Sequence, residues 1–275
     1  MKNVLVLVED HSCIDSVLAT AVLVGQTFDS YLEGVPIAPD ISDIVVADIS
    51  IGATVFDART RQVLTDRAAR HFTAAMDHAG YPRDTRNNGP VAVWTNKMTN
   101  DGIVGCTSRV YDLVVLGKPG SAGHDPRQAT FESVLFESGR PVLIAPPTVP
   151  KRLGDTVLIA WNRSSETART VASAMPFLRR AKRVVILTLE VSNVPGPSGT
   201  LLAAALERDG IETETLKADS KSGNEGPGIL SKAVEIGADL IIKGGYTQSR
   251  LRQMIFGGAT SHILAHSDIP VFMAH

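Results

Sequence analysis

The 275-residue chain has only two cysteines, Cys13 and Cys106. They form no CxxC pair and no zinc-site spacing. Each falls among apolar, helix-like residues, so each is expected to be a buried small hydrophobe rather than half of a disulfide or a reactive thiol. Long apolar runs are also missing. The longest, Val17 to Gly25, is interrupted by Thr20 and is far shorter than the roughly 20 residues that cross a bilayer. After Met1-Lys2-Asn3 the chain enters a strand-like run, Val4 to Val8, that turns acidic at Glu9. A signal peptide would continue apolar to a small-residue cleavage site, so the expected location is the cytoplasm. Neither charge sign dominates: 27 Lys and Arg stand against 29 Asp and Glu, net −2. That leaves no basic face for nucleic acid and no polybasic membrane patch.

Several catalytic signatures are absent as well. The chain holds no G-x4-G-K-[ST] phosphate loop, no G-x-G-x-x-G after a strand, no G-x-S-x-G elbow and no HExxH helix. No carboxylate pair for Mg²⁺ and no general base stands near its glycine-rich stretch, which argues against phosphoryl transfer. No catalytic residue and no metal ligand set is predicted. His262 and His266, four apart, and His71 and His78, seven apart, share helix faces and are read as solvated or helix-end residues.

What the chain does have is internal repetition, the signal to seek before motifs. Val4-Leu5-Val6-Leu7-Val8 is answered by Val157-Leu158-Ile159-Ala160-Trp161. Polar clusters with helix-capping character follow, Asp10-His11-Ser12 and Asn162-Arg163-Ser164. Apolar positions then recur at helical spacing: Ile14, Val17, Leu18 and Ala21 in one half, Ala168, Val171, Ala172 and Met175 in the other. Tyr111 to Gly117 matches Ala238 to Gly244, with Asp112 and Asp239 as turn or cap residues. Pro141-Val142-Leu143-Ile144-Ala145 matches Pro270-Val271-Phe272-Met273-Ala274.

The proline-bearing stretch Pro146 to Arg152 suits an extended connector and sets expected domains at 1–147 and 155–275. The short apolar strands lack inside/outside alternation, as a parallel sheet covered on both faces requires. Further strands are expected at Tyr31 to Ile37, Pro90 to Trp94, Arg183 to Leu189 and Ile211 to Lys217. Helices are expected over Thr54 to His78 and Gly199 to Leu206. The predicted fold class is α/β: two tandem open parallel sheets of about five strands, joined by right-handed crossovers and flanked by helices.

The stretch Gly244-Gly245-Tyr246-Thr247-Gln248-Ser249-Arg250-Leu251-Arg252-Gln253-Met254-Ile255-Phe256-Gly257-Gly258-Ala259-Thr260 resembles the signature G-x2-G-x9-G-[ST] of the universal stress protein family. Ala160-Trp161-Asn162-Arg163-Ser164 is similar to that family's first strand-to-helix turn. The resemblance implies Rossmann-like domains (adenine nucleotide alpha hydrolase-like) with strand order 3-2-1-4-5. It further implies pairing of the two fifth strands, Val142 to Ala145 with Val271 to Ala274, as an intrachain pseudo-dimer that could assemble further as a homodimer. It implies a stress-response protein binding ATP or another adenine nucleotide, with or without Mg²⁺. The cofactor-binding residues carried over are Asn162, Lys243, Gly244, Thr247, Gly257, Gly258 and Ala259.

Glycines let a ligand approach the main chain, and a following helix start adds an anion-binding dipole. Three departures bear on that expectation. Asn162 stands where the family has an acid and Gly258 where it has Ser or Thr. Thr247 replaces a glycine, a strain of about 1–2 kcal/mol if positive φ is needed there. Arg250 and Arg252 either reach a phosphate or stay solvated. In the first half, Gln128 and Ala129 fall opposite Gly257 and Gly258, and prolines interrupt Lys118 to Pro126. That copy is expected to be degenerate. A second reading stays open: an interaction module of the same fold whose clefts take no nucleotide and whose surface serves a protein partner.

Overall fold

The computed structural model describes residues 1–38, 58–82, 90–97, 99–120, 125–189, 194–217, 225–245 and 258–275. The chain divides into two units, Met1–Val149 and Pro150–His275. Thr247, Gly257, Arg250, Arg252 and the start of the helix expected at Thr54 lie outside the described residues.

In the first unit, strand β1 (Asn3–Val8) leads into helix α1 (Ile14–Phe28) and strand β2 (Tyr31–Ala38). Helix α2 (Ala58–His78), strand β3 (Val91–Trp94), a two-residue strand β4 (Thr99–Asn100) and helix α3 (Asp101–Thr107) follow. Strand β5 (Leu113–Gly117), helix α4 (Gln128–Glu137) and strand β6 (Val142–Ala145) complete it. The sheet order is β3-β2-β1-β5-β6 and every pairing is parallel, with β4 extending the edge of β2.

The second unit repeats the plan. It runs β7 (Thr156–Trp161), α5 (Ser165–Leu178), β8 (Arg183–Thr188), α6 (Gly199–Arg208), β9 (Thr213–Lys217) and α7 (Glu225–Glu235). Strand β10 (Leu240–Gly244), helix α8 (Ala259–His266) and strand β11 (Val271–Ala274) close it. Its order is β9-β8-β7-β10-β11, again parallel. Both units therefore show the expected 3-2-1-4-5 arrangement.

The central strands are buried between helices on both faces and are largely apolar, with Lys243 of β10 a buried exception. Every residue of β5, β6, β10 and β11 is buried. The outer strand β9 instead exposes Glu214 and takes its support sideways, from a forked ion pair with Arg183 of β8 at 2.8 Å on both arms. Charge on an edge strand also discourages further pairing there.

The repetition extends to the aspartates that open the fourth strands. Asp112 Oδ2 accepts from the backbone N–H of Lys2 and Asn3 at 2.7 and 3.0 Å. Asp239 Oδ1 accepts from Gly154 and Thr156 at 2.8 and 3.1 Å. Each thereby ties the start of the fourth strand to the start of the first. Burial pushes the Asp239 carboxyl above its ordinary value, although the two backbone donors pull it down.

Two expectations are corrected. Cys106 is exposed and Cys13 half-buried: the seven-residue α3 buries Asp101, Val104 and Gly105 and turns Cys106 outward, while Cys13 occupies the cap position before α1. In the first unit, the Asp10-His11-Ser12 cluster supplies no side-chain cap to that helix. In the second, Ser164 does, accepting from the Thr167 N–H at 3.2 Å. Among the described residues no helix is long and apolar enough to cross a membrane.

The shared aspartate clamp gives a test. Asp239→Ala leaves two buried N–H donors unmet and is expected to lower stability by about 1–3 kcal/mol. Asp239→Asn keeps the accepting oxygen and should stay near wild type. Urea denaturation of the three proteins checks the difference.

Candidate functional site

In an open parallel sheet a ligand sits beyond the carboxyl ends of the strands, where the strand order reverses. Here that place is the end of β1 and β5 in the first unit, and of β7 and β10 in the second. The two copies can be compared residue by residue: Glu9 corresponds to Asn162, Leu116 to Lys243, and Gly117 to Gly244.

In the second unit the turn after β7 is drawn together around Asn162. Its Oδ1 accepts from the Ser164 N–H (3.2 Å), the Ser164 hydroxyl (2.8 Å) and the Thr167 hydroxyl (2.5 Å). The oxygen is fully used, so only the amide NH₂ of Asn162 remains for a ligand. Arg163 takes a left-handed φ of 68° to make the turn, a conformation that strains a residue other than glycine. Trp161 is core, with its indole N–H donating to Pro197 O at 2.9 Å.

Gly244 ends β10 against the first turn of α5. A Cβ there would lie 2.5 Å from the Thr167 nitrogen. The glycine is thus required for helix–strand packing, a duty independent of any ligand.

Beside it, Lys243 is buried, 6% exposed. Its ammonium donates to Thr260 Oγ1 at 2.6 Å and to Gly244 O at 3.0 Å. Burial lowers its pKa to about 8, against the pull of the Glu225 carboxylate. Thr260 is itself buried in the first turn of α8. Gly258 occupies that helix's cap position with extended backbone (φ 164°) and no capping side chain, and among the described residues a Cβ there would meet nothing within 4 Å. Ala259 is half-buried beside it. Lys243, Gly258 and Ala259 therefore meet at one helix start, and Gly244 links that place to the turn at Asn162. The histidines expected at the end of this helix stack on each other 4.2 Å apart, and a 2.9 Å bond joins His266 Nδ1 to His262 O.

The first unit fills the same place from within. The Glu9 carboxylate, 6% exposed, accepts from the Arg127 N–H at the start of α4 and meets the Arg127 guanidinium, both at 3.4 Å. Arg127 also forks onto Asp101, at 3.0 and 3.1 Å, and the Thr130 hydroxyl donates to Asp101. Burial pushes the Glu9 carboxyl up in spite of Arg127. Pro126 closes over Gly117, where a Cβ would lie 2.5 Å from the proline ring. His11 is buried, with its pKa lowered to about 4 by burial, and its Nδ1 accepts from the Cys13 N–H at 3.0 Å. Sequence reasoning missed Glu9, Asp101, Arg127 and Thr130. The signal was available in part, because Glu9 aligns with Asn162 at the end of the first strand.

With this geometry in view, residues 155–275 match the model of the universal stress protein family. The second unit belongs to the universal stress protein family. The whole two-unit chain is similar in fold to a universal stress protein from Archaeoglobus fulgidus DSM 4304, with 17% identity, a TM-score of 0.69, and 98% and 97% of the two chains covered. A protein of unknown function from Pseudomonas aeruginosa PAO1 is also similar, at 12% identity and TM-score 0.58, covering 100% of this chain and 92% of that one. The stress response protein NhaX of Bacillus subtilis (strain 168) is 38% identical over 55 residues. That match spans 20% of this chain and 33% of that protein.

The ion-pair cluster of the first unit carries a prediction. Arg127→Met would leave Glu9 and Asp101 buried without their cation and is expected to cost about 3 kcal/mol. The folded-state pKa of Glu9 lies above its ordinary value, so its ionised form is the destabilising one, more so once Arg127 is gone. The deficit should therefore shrink as pH falls and Glu9 takes up a proton. Denaturation midpoints at neutral and acidic pH, compared with wild type, check both size and sign.

Proposed function

We propose that this chain is a stress-response protein whose second unit binds an adenine nucleotide, ATP foremost, while its first unit is a non-binding copy. The observation that carries the reading is the contrast at the two helix starts. At α8 the cap position is a glycine that no described residue approaches, with a buried lysine beneath it. At α4 the equivalent place holds the protein's own Glu9 carboxylate and Arg127. Main-chain N–H groups at an open helix start favour an anion such as phosphate, and family membership of the second unit supports a nucleotide as its carrier. The residues proposed to hold it are Asn162 through its amide, Lys243, Gly258 and Ala259, together with Thr247 and Gly257 of the glycine loop. Gly244 shapes the site through its packing against α5. A cytoplasmic location is part of the same proposal, supported by the two free thiols.

One set of observations favours the alternative, a protein-interaction module. Gly244 is required by packing and Asn162 Oδ1 is consumed by its own turn, so both have duties without a ligand. Thermal unfolding with and without nucleotide decides between the two. ATP at 100 times its dissociation constant stabilises a binding protein by about 2.7 kcal/mol. A clear rise in melting temperature with ATP is expected. No rise at millimolar ATP or ADP would leave the interaction module as the better reading.

A further inference from the structure

Lys243 is the feature of the second unit that its internal partner copy lacks. At the matching position of the first unit stands Leu116, fully inside the core. Removing an ammonium from water is costly unless negative charge compensates it. Among the described residues no carboxylate lies within ion-pair distance of Lys243; its partners are a hydroxyl and a carbonyl. The glycine loop, 245–257, contains no acidic residue and two arginines. The strand-end acid of the first unit, Glu9, is the neutral Asn162 here. Among the described residues, the second site therefore has a neutral amide where its sister has an anion, and a buried cation where its sister has a leucine.

The hydrogen-bond direction extends this. The Lys243 ammonium has no lone pair, so Thr260 Oγ1 must be the acceptor of the 2.6 Å bond. That leaves the Thr260 hydroxyl hydrogen with no acceptor among the described residues, able to donate onward from the first turn of α8, and an adjacent cation makes it a stronger donor.

We infer that Lys243 is the fixed counter-charge for the phosphate of the ligand, acting through the Thr260 hydroxyl, so that this chain takes its nucleotide without a divalent metal ion. The inference rests on the nucleotide reading of the site. Lys243 is a positioning residue in this role, and its ionisation gives a readout that a purely structural lysine would not. Glu225, at the start of α7, is the carboxylate that acts on it. Glu166 and Arg169 of α5 act on His275, which follows β11. With the lysine charged below about pH 8 and neutral above it, anion binding is retained at pH 7 and lost as pH rises through 8 to 9.

Calorimetric titration of ATP and adenosine, in EDTA and in Mg²⁺, tests this on wild type and Lys243→Met. Wild type is expected to bind ATP equally well with and without Mg²⁺ and to weaken between pH 7 and 9. Losing a charge-assisted contact should weaken ATP binding by Lys243→Met about tenfold or more, with adenosine little affected and the pH dependence gone. Methionine fills a similar volume without a buried charge, so the ligand-free variant should melt no lower than wild type. Unchanged ATP affinity in Lys243→Met, or a wild type that binds ATP only with Mg²⁺, would overturn the inference while leaving the nucleotide reading intact. A wild type that binds neither ATP nor adenosine would remove both. The metal and pH arms use wild type alone, so they decide the matter even if the variant folds poorly.

Discussion

A helix that starts at the carboxyl edge of a parallel sheet presents main-chain N–H groups with no partner of their own, and something electronegative has to meet them. This requirement organises both units. In the first, the strand-end Glu9 turns back onto the start of α4, where the half-buried Arg127 guanidinium meets it and a second acid, Asp101, holds that guanidinium. In the second, the strand-end residue is an amide whose oxygen is spent on its own turn, and among the described residues no side chain caps the helix start at Gly258, beside a buried lysine. One sheet plan thus carries two solutions: a charge cluster closed on itself and a cation with no carboxylate partner among the described residues.

The glycines divide along the same line. Gly117 and Gly244 end matching strands and both are held by close packing, against Pro126 in one unit and Thr167 in the other. Their presence says little about ligands, since the fold needs them in either case. Gly258 differs, because among the described residues no atom lies within 4 Å of where its side chain would be. The absence of a described neighbour, rather than glycine as such, separates the two helix starts.

The architecture was legible because it rests on patterns that survive without tertiary knowledge. Unalternating runs such as Val4 to Val8 and Leu240 to Gly244 mark strands buried on both faces, and two of them sit at matching places in two halves. The strand order followed from the family resemblance and agrees with both sheets. The site was less legible, for physical reasons. Glu9 and Arg127 are 118 residues apart and meet only once β1 and α4 are packed, and nothing local to either residue marks the pair. Burial of Lys243 likewise depends on α8 folding across the end of β10, although the alignment of Leu116 with Lys243 already set a charge against a core position. Cys106 was misjudged because a seven-residue helix buries too narrow a face for its apolar neighbours to decide which side is inward.

The most direct test is the number of nucleotides bound per chain, measured by equilibrium dialysis with radiolabelled ATP at saturating concentration. One site occupied by its own carboxylate and one with no such occupant among the described residues predict one ATP per chain. Two per chain would show that Glu9 and Arg127 yield to a ligand, and none would show that the open helix start with its buried lysine is not an anion site at all.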